Sequence, residues 1–449
     1  MTKDLTTGSP MKLVIQFAFP QFLGMLFQQF YNVVDTAIVG KFLGVQPLAG
    51  VGATGSLSFL VIGFCTGLCS GFAIPVAQKF GAGDMPEMRR FTANSLWLSA
   101  FFSLVLTIPV CLFCRPILLL MNTPEDCFEY AYSYIFIIFL GIPTTFLYNI
   151  LAGILRSLGD SKTPVIFLAL SSALNIFLDI ATIRFWNMGV AGAAWATVVS
   201  QGVSGIICFI YMRRKFAVLR MSAEERRPDI TRIQRLCYMG IPMGLQYSVT
   251  AIGSLIIQAT MNGFGSIAVA GATAANRING FLACPIEALG ASMAPYTAQN
   301  LGAGKLDRIT KGVLDASICG FICAGVLYGI VLLFGEQLVS IFLDEQNPEV
   351  LAYAMEFLHI VCAGYCLLTL VNVVRFSIQG MGFSVFAILS GVMEMIARTV
   401  AGLVIAPRIG FAAVALGHPL AWLAADCFLI PAFLLCRKKV AKEQHFESK

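Results

Sequence analysis

The stretch GVLDASICGFICAGVLYGIVLLF (312–334) indicates a membrane-spanning helix, because its 23 positions contain a single charged residue, Asp315. A helix of about 20 apolar residues crosses a hydrocarbon core of roughly 30 Å. The stretches 95–114, 136–155 and 409–436 have the same character. We therefore expect an α-helical chain that crosses a membrane several times.

The composition supports the same class over the whole chain. Hydrophobic residues make up 58% of the 449 residues and charged residues 12%, whereas soluble domains average about 45–50% and about 25%. Polar breaks between the apolar stretches then predict an all-α polytopic membrane protein of twelve helices. These helices are expected near 13–39, 47–79, 92–117, 127–153, 164–184, 189–212, 233–261, 266–300, 312–335, 350–377, 384–406 and 409–436.

Lysine and arginine are unevenly divided between the two sets of predicted loops. With the N-terminus inside, 24 of the 30 basic residues, Arg375 among them, lie on the cytoplasmic side. The outer loops contain only Lys41, Arg115, Arg184 and Arg408. This bias predicts a multi-pass protein of the cell membrane with both termini in the cytoplasm. The net charge of +6 is then a topology signal, and we expect membrane lipid, not nucleic acid, around the chain.

An internal repeat divides the twelve helices into two sets of six. A shift of 221 residues aligns AQKFGAGD (77–84) with AQNLGAGK (298–305), and residues 44–83 match 265–304 at eleven of forty positions. An even number of helices per repeat predicts two parallel-repeat six-helix bundles. We expect an N-terminal lobe at 1–212, a basic cytoplasmic linker at 213–232, a C-terminal lobe at 233–436 and a cytoplasmic tail at 437–449.

Ionisable residues inside the membrane are costly and are functional candidates by default. Asp35 lies in the first predicted helix and Asp179 in the fifth, both in the outer half of the membrane, and Asn175 lies one turn before Asp179. Thr197 and Tyr134 fall at about the same depth. Hard oxygen donors of this kind suit a proton or an alkali cation. The alternative is that the two carboxylates only bond neighbouring helices, but the repeat places no carboxylate at the equivalent C-terminal positions.

The remaining intramembrane charges allow structural and functional interpretations. Glu394 and Arg398 have the spacing of an ion pair within one helix, and a substrate contact is the less favoured alternative. Glu287 and Arg277 are candidates for the lining of a substrate cavity or for ion pairs within the protein. Asp426 is either a cavity residue or a satisfied helix contact, and we favour the helix contact. Pro20 marks a point where the first helix can bend.

At these residues the chain resembles the multidrug and toxic compound extrusion (MATE) family. The resemblance rests on AFPQ (18–21), NVVDTAIVGKFLG (32–44), AQKFGAG (77–83), LRSLGDSKTP (155–164), NIFLD (175–179), GAAWAT (192–197), GIP (240–242), RINGF (277–281) and AQNLGAG (298–304).

The resemblance implies a proton- or sodium-driven antiporter. It also implies a coupling site at Asp35, Asn175, Asp179 and Thr197, with Tyr134 beside it and a helix bend at Pro20. The first four residues would hold Na⁺ if the coupling ion is sodium. Some branches carry a glutamate eight residues after the proline of the GIP motif, and here that position is Thr250.

We therefore expect an antiporter that works by alternating access between two lobes and exports amphipathic, mostly cationic drugs in exchange for Na⁺ or H⁺. It would need no cofactor beyond the coupling ion and would function as a monomer. A flippase of lipid-linked precursors is the alternative, although only Arg277 and Arg398 could meet a diphosphate. An enzyme is not expected, since the chain has three histidines, no HExxH motif and no Walker A loop. A passive channel also fits the composition.

Overall fold

The computed structural model describes residues 3–121, 123–341 and 347–447, with the side chains of 445–447 left out. The described chain is helical almost throughout. Its α-helices are α1 (Pro10–Leu43), α2 (Val45–Ala53), α3 (Gly55–Gly81), α4 (Met85–Leu112), α5 (Cys114–Leu120), α6 (Glu125–Leu140), α7 (Ile142–Ser157), α8 (Lys162–Ile180), α9 (Gly189–Lys215), α10 (Ile230–Asn262), α11 (Ser266–Gly302), α12 (Leu306–Ser340), α13 (Pro348–Ala363), α14 (Tyr365–Gly380), α15 (Val385–Val400), α16 (Ala406–Ile409) and α17 (Ala412–Glu447).

These helices form the twelve predicted crossings. Within the described residues, nine single helices are long and apolar enough to span a membrane, and the bent pairs α6–α7 and α13–α14 bring the number to eleven. The twelfth crossing is α11, which is 37 residues long but carries Arg277 and Glu287 along its length. The predicted class of polytopic α-helical membrane protein is confirmed.

Four of the predicted helices are interrupted where continuous helices were expected. The predicted helix 47–79 breaks at Thr54 and the predicted helix 92–117 breaks at Phe113. The pairs α6–α7 and α13–α14 bend by 47° and 48° at Gly141 and Gly364. Close packing explains the two glycines: a Cβ would come within 2.3 Å of Val198 at Gly141 and within 2.8 Å of Pro419 at Gly364. Hydrophobic patterning does not contain this information, because it depends on which helix lies opposite.

The backbone repeats the sequence symmetry at matching positions. Gly44 and Gly265, 221 residues apart, precede α2 and α11 with φ values of 89° and 90°, in the left-handed region that favours glycine. A five-residue π-helical turn follows α8 at Ala181–Phe185, and another follows α15 at Ala401–Ile405. The two halves of the chain therefore share helix starts and local irregularities as well as sequence.

The chain forms two compact units, and their boundaries differ from the predicted lobe boundaries. The N-terminal unit comprises Leu23–Gly244 with the described residues before Leu5, and the C-terminal unit comprises Leu5–Phe22 and the chain from Leu245 onward. The division therefore falls inside α1 and α10, whereas the predicted boundary lies in the linker 213–232. Residues 448–449, at the end of the predicted tail, lie outside the described residues.

The segment Leu5–Phe22 belongs to the C-terminal unit because it packs there. Leu5 is 1% exposed; its backbone N–H donates to Gln299 Oε1 at 2.9 Å, and its carbonyl accepts from Asn300 Nδ2 at 3.1 Å. Val14 and Phe17 lie in the hydrophobic core of the same unit. Gln299 and Asn300 belong to the AQNLGAG motif, so this motif binds the N-terminal segment.

The predicted linker is docked on the N-terminal unit. Arg89 on α4 pairs with Glu225 at 2.7 Å, and Trp97 Nε1 donates to the carbonyl of Arg226 at 3.0 Å. Glu87 pairs with Arg232 at 2.7 Å. The Arg89 guanidinium, through its hydrogen bonds, lowers the pKa of the Glu225 carboxyl. The basic segment thus forms ion pairs with the chain itself.

The crossing of α3 and α10 explains why the start of α10 belongs to the N-terminal unit. A Cβ on Gly71 would lie 2.5 Å from the Cα of Gly240, and a Cβ on Gly240 would lie 2.5 Å from the ring of Phe72. Glycines allow two membrane helices to approach this closely.

We expect Gly240→Leu to destabilise the protein, because overpacking a close contact costs about 1–3 kcal/mol. The measurement is the apparent thermal-unfolding midpoint of purified protein in detergent. Gly325→Leu is the matched control, since no heavy atom lies within 4 Å of the Cβ position at Gly325. Equal midpoints for the two variants would contradict the packing explanation.

Candidate ion-binding site

The buried face of α8 carries two of the predicted site residues. Phe167, Ser171, Asn175 and Asp179 are all buried and repeat every four residues, so they form one stripe along the helix. The π-helical turn begins two residues after Asp179, and Thr182 Oγ1 in it donates to the carbonyl of Leu178 at 2.8 Å. Such π-bulges are frequent at functional sites.

The two predicted carboxylates lie together inside the N-terminal unit. Asp35 is 8% exposed and Asp179 is fully buried, and the two groups interact electrostatically. The two carboxyl groups are hydrogen-bond partners of each other, and no other group among the described residues donates to Oδ1 of Asp35 or to either oxygen of Asp179. A buried ionised carboxylate without partners is very costly. The pair therefore needs a proton or a cation to be stable.

A hydrogen-bond network orients the carboxamide beside this pair. Asn175 Nδ2 donates to Thr197 Oγ1 at 3.2 Å, the hydroxyls of Tyr31 and Thr197 lie 2.9 Å apart, and Thr197 Oγ1 donates to the carbonyl of Ala193 at 3.2 Å. The amide oxygen Oδ1 of Asn175 has no hydrogen-bond partner in the described part of the chain. The Thr197 hydroxyl is thus occupied by protein groups. It orients the Asn175 amide and leaves the amide oxygen available as a ligand for a cation.

Two tyrosines complete the surroundings of the carboxylates. Tyr134, the predicted neighbour on α6, interacts electrostatically with Asp35 and Asp179, and so does Tyr31 on α1. Tyr31 was not predicted as a site residue. The helix spacing indicates it, because Tyr31 precedes Asp35 by four residues and so lies on the same face of the first helix.

The donor set fits a proton or a monovalent cation. No cluster of three or more His, Cys, Asp and Glu side chains suited to a metal ion occurs in the described ranges. Oxygen atoms of Asp35, Asp179 and Asn175 accept no hydrogen bond from any other described group, and hard oxygen ligands suit alkali cations. Asp35, Asp179 and Asn175 would hold such an ion, with Thr197 orienting the amide.

The four predicted cavity residues divide into two groups. Glu287 and Arg277 on α11 are exposed, and because charged groups avoid hydrocarbon, this exposure favours a water-filled surface. Glu394 and Arg398 are only 3% and 5% exposed, and they form the predicted ion pair at 3.5 Å. These two residues therefore contact each other in the interior of the C-terminal unit.

Arg375, which was predicted on the cytoplasmic side, is a buried residue of the C-terminal unit. It is 7% exposed within α14 and forms an ion pair with Glu394. Arg398 also donates to the carbonyl of Thr250 at 3.3 Å, at the position where some MATE branches carry glutamate. An arginine thus contacts the backbone at this position.

The internal repeat, the irregular helices and the buried carboxylate pair describe a polytopic α-helical membrane protein, and comparison with known proteins identifies the family. The MatE family model matches residues 20–181 and 242–407. The chain belongs to the MatE family; it is a multi-pass membrane transporter and not an enzyme.

Relatives and solved structures agree with this assignment. The chain is 28% identical over 362 residues to the probable multidrug resistance protein YoeA of Bacillus subtilis, covering 79% of this chain and 78% of that protein. It is 24% identical over 366 residues to an FAD transporter of Shewanella oneidensis, covering 79% and 78%. A MATE protein crystallised in complex with MaL6 has the same fold, with a TM-score of 0.90 at 22% identity over 99% of this chain and 100% of that one.

Proposed function

We propose that the protein is a secondary antiporter that exports amphipathic, mostly cationic small molecules from the cytoplasm in exchange for Na⁺ or H⁺. The carboxylate pair of Asp35 and Asp179 carries this proposal, because three of its buried oxygens accept no hydrogen bond from another group in the described ranges, so that the pair needs a cation or a proton. The coupling ion is the only cofactor. The names of relatives such as YoeA support drug-like substrates.

The placement of the protein in the cell follows from its charges. We propose a cell-membrane protein with both termini in the cytoplasm, because most of its Lys and Arg residues then lie inside. It acts as a monomer surrounded by lipid and binds no nucleic acid. The linker residues Glu225 and Arg232 pair with Arg89 and Glu87 on α4, which supports a structural role for this basic region.

Pro20 links the ion site to the first helix in this proposal. Proline removes a backbone hydrogen bond inside a helix and favours a bend, and Pro20 lies two residues before the change of unit at Phe22. The same helix carries Tyr31 and Asp35. Loading of the carboxylates would then bend α1 and release the substrate under alternating access.

Transport by purified protein in proteoliposomes tests the exchange. We expect uphill uptake of a cationic dye when an outward-directed gradient of either Na⁺ or H⁺ is imposed on inside-out-oriented protein, and no uphill uptake without a gradient. Separate gradients identify the ion, because only one should drive the dye. Dye that merely equilibrates under every gradient would exclude an antiporter and indicate a passive channel.

A flippase of lipid-linked precursors, or a carrier of other diphosphates, is the second candidate. The name of the FAD transporter relative favours such an anionic substrate. However, Arg375 and Arg398 both pair with Glu394, which leaves Arg277 as the exposed arginine among the predicted cavity residues. We therefore favour cationic substrates, and competition of dye transport by FAD compared with an organic cation distinguishes the two.

A further inference from the structure

A second group of buried charges lies in the C-terminal unit. Glu394 on α15 accepts hydrogen bonds from Arg375 on α14 and from Arg398 one turn further along α15. Arg375 Nε also donates to Ser390 Oγ at 3.1 Å. Both arginines are thus committed to protein acceptors, and one carboxylate serves two guanidinium groups.

Asp426 lies on α17, which packs on both α14 and α15, and it is not hydrogen-bonded to this group. Its side chain is 3% exposed, and neither carboxyl oxygen has a hydrogen-bond partner within the described residues. It interacts electrostatically with Arg375 and Glu394. A buried polar group is normally hydrogen-bonded, so each exception requires an explanation.

The charges around Asp426 favour a proton over a metal cation as the ligand of its carboxyl group. Arg375, Arg398 and Glu394 together carry one excess positive charge, and an ionised Asp426 brings the sum to zero. A metal cation would have to approach two guanidinium groups, which repel it. A proton is different, because it removes the charge of the carboxyl and adds a donor without needing further ligands.

We infer that Asp426 is a proton-binding site of the C-terminal unit, separate from the carboxylate pair of the N-terminal unit. When protonated, it leaves Arg375 paired with Glu394, as the structure shows. When ionised, it competes with Glu394 for Arg375. A change of protonation would therefore shift an ion pair from α14–α15 towards α14–α17.

The surroundings of Asp426 contain a further titratable group, His418, and a small set of charged neighbours. On α17 itself, His418 interacts electrostatically with Arg398, and its ring lies 5.5 Å from that of Phe357 on α13. The charged neighbours that act on Asp426 are thus Arg375 from α14 and Glu394 from α15, with Arg398 and His418 adjoining them.

Infrared difference spectroscopy of purified protein tests the inference without measuring transport. The background is the triple variant Asp35→Asn/Asp179→Asn/Glu287→Gln, which removes the carboxylates of the N-terminal site and the intramembrane carboxyl of Glu287. We expect a carbonyl band of a protonated carboxyl that disappears as the pH is raised. Adding Asp426→Asn should abolish this band, and adding Asp426→Glu should keep it at a shifted frequency.

The controls separate protonation from a folding defect. Asp307→Asn, at a fully exposed side chain that pairs with Arg437, should leave the band unchanged. Each variant must elute as a single species in gel filtration, and the Asp426→Glu variant reports on the site if Asp426→Asn does not fold. A band that persists in a folded Asp426→Asn variant, or no pH-sensitive band in the background, would overturn the inference. Neither outcome bears on Asp35 and Asp179, so the proposed exchange function is tested separately.

Discussion

Asp35→Asn should abolish the effect of the coupling ion on substrate binding. In the wild-type protein we expect the driving ion to change dye affinity by roughly 5- to 150-fold, the range of coupling free energies of about 1–3 kcal/mol. Asparagine keeps the shape of the side chain but carries no charge and takes up no proton. The ratio of dye Kd values with and without the ion should therefore fall to about one, and uphill efflux should stop.

A matched control and a double variant sharpen this test. Asp126→Asn, at an exposed aspartate in the first turn of α6, should keep the wild-type ratio. Adding Asp179→Asn to Asp35→Asn should cause little further loss, because interacting residues that act as one unit are not additive. Normal ion-driven efflux by a well-expressed Asp35→Asn variant would sink the proposed mechanism.

Glu394→Gln should strongly destabilise the C-terminal unit. Glu394 is 3% exposed and pairs with Arg375 and Arg398, so its neutralisation removes the carboxylate with which both buried guanidinium groups are paired. Breaking a buried ion pair on one side costs about 3–5 kcal/mol. We expect a clearly lower thermal midpoint and a smaller yield of monodisperse protein in detergent.

Two comparisons separate burial from charge in this experiment. Glu129→Gln breaks the exposed pair with Arg115 and should change stability by no more than about 1 kcal/mol. Replacing Arg375, Glu394 and Arg398 together by methionine should recover much of the loss, because an apolar replacement of a whole buried ion cluster is often neutral. If Glu394→Gln is as stable as Glu129→Gln, the cluster does not stabilise the fold.

The carboxylate pair could be predicted from the sequence because the physical constraints act locally. An aspartate inside an apolar helix is costly, Asn175 lies one turn before Asp179, and helix length sets the depth of each residue. These rules brought together the residues that the structure places around Asp35 and Asp179. Tyr31 was within reach of the same spacing rule and was overlooked.

Contacts between residues far apart in the chain could not be predicted from the sequence. Glu394 was predicted to pair with Arg398 alone, and its second partner is Arg375, nineteen residues earlier in the chain. Thr197 was expected to contribute an ion ligand, and only the hydrogen bonds from Tyr31 and Asn175 show its hydroxyl to be occupied. Such pairings depend on which helices pack together, and hydropathy does not record that.

The length of the hydrophobic stretches and the distribution of basic residues predict a membrane protein of twelve spans, and the 221-residue shift predicts an internal repeat. All three are properties of the linear chain. Only the packed structure shows that helices bend at Gly141 and Gly364. Only the packed structure shows that α1 and α10 are each divided between two units. It also shows which buried charges are paired and which, like Asp426, have no hydrogen-bond partner within the described residues. The physical reason is that burial and pairing are set by contacts between helices far apart in the chain, whereas spanning a membrane is a property of each helix alone.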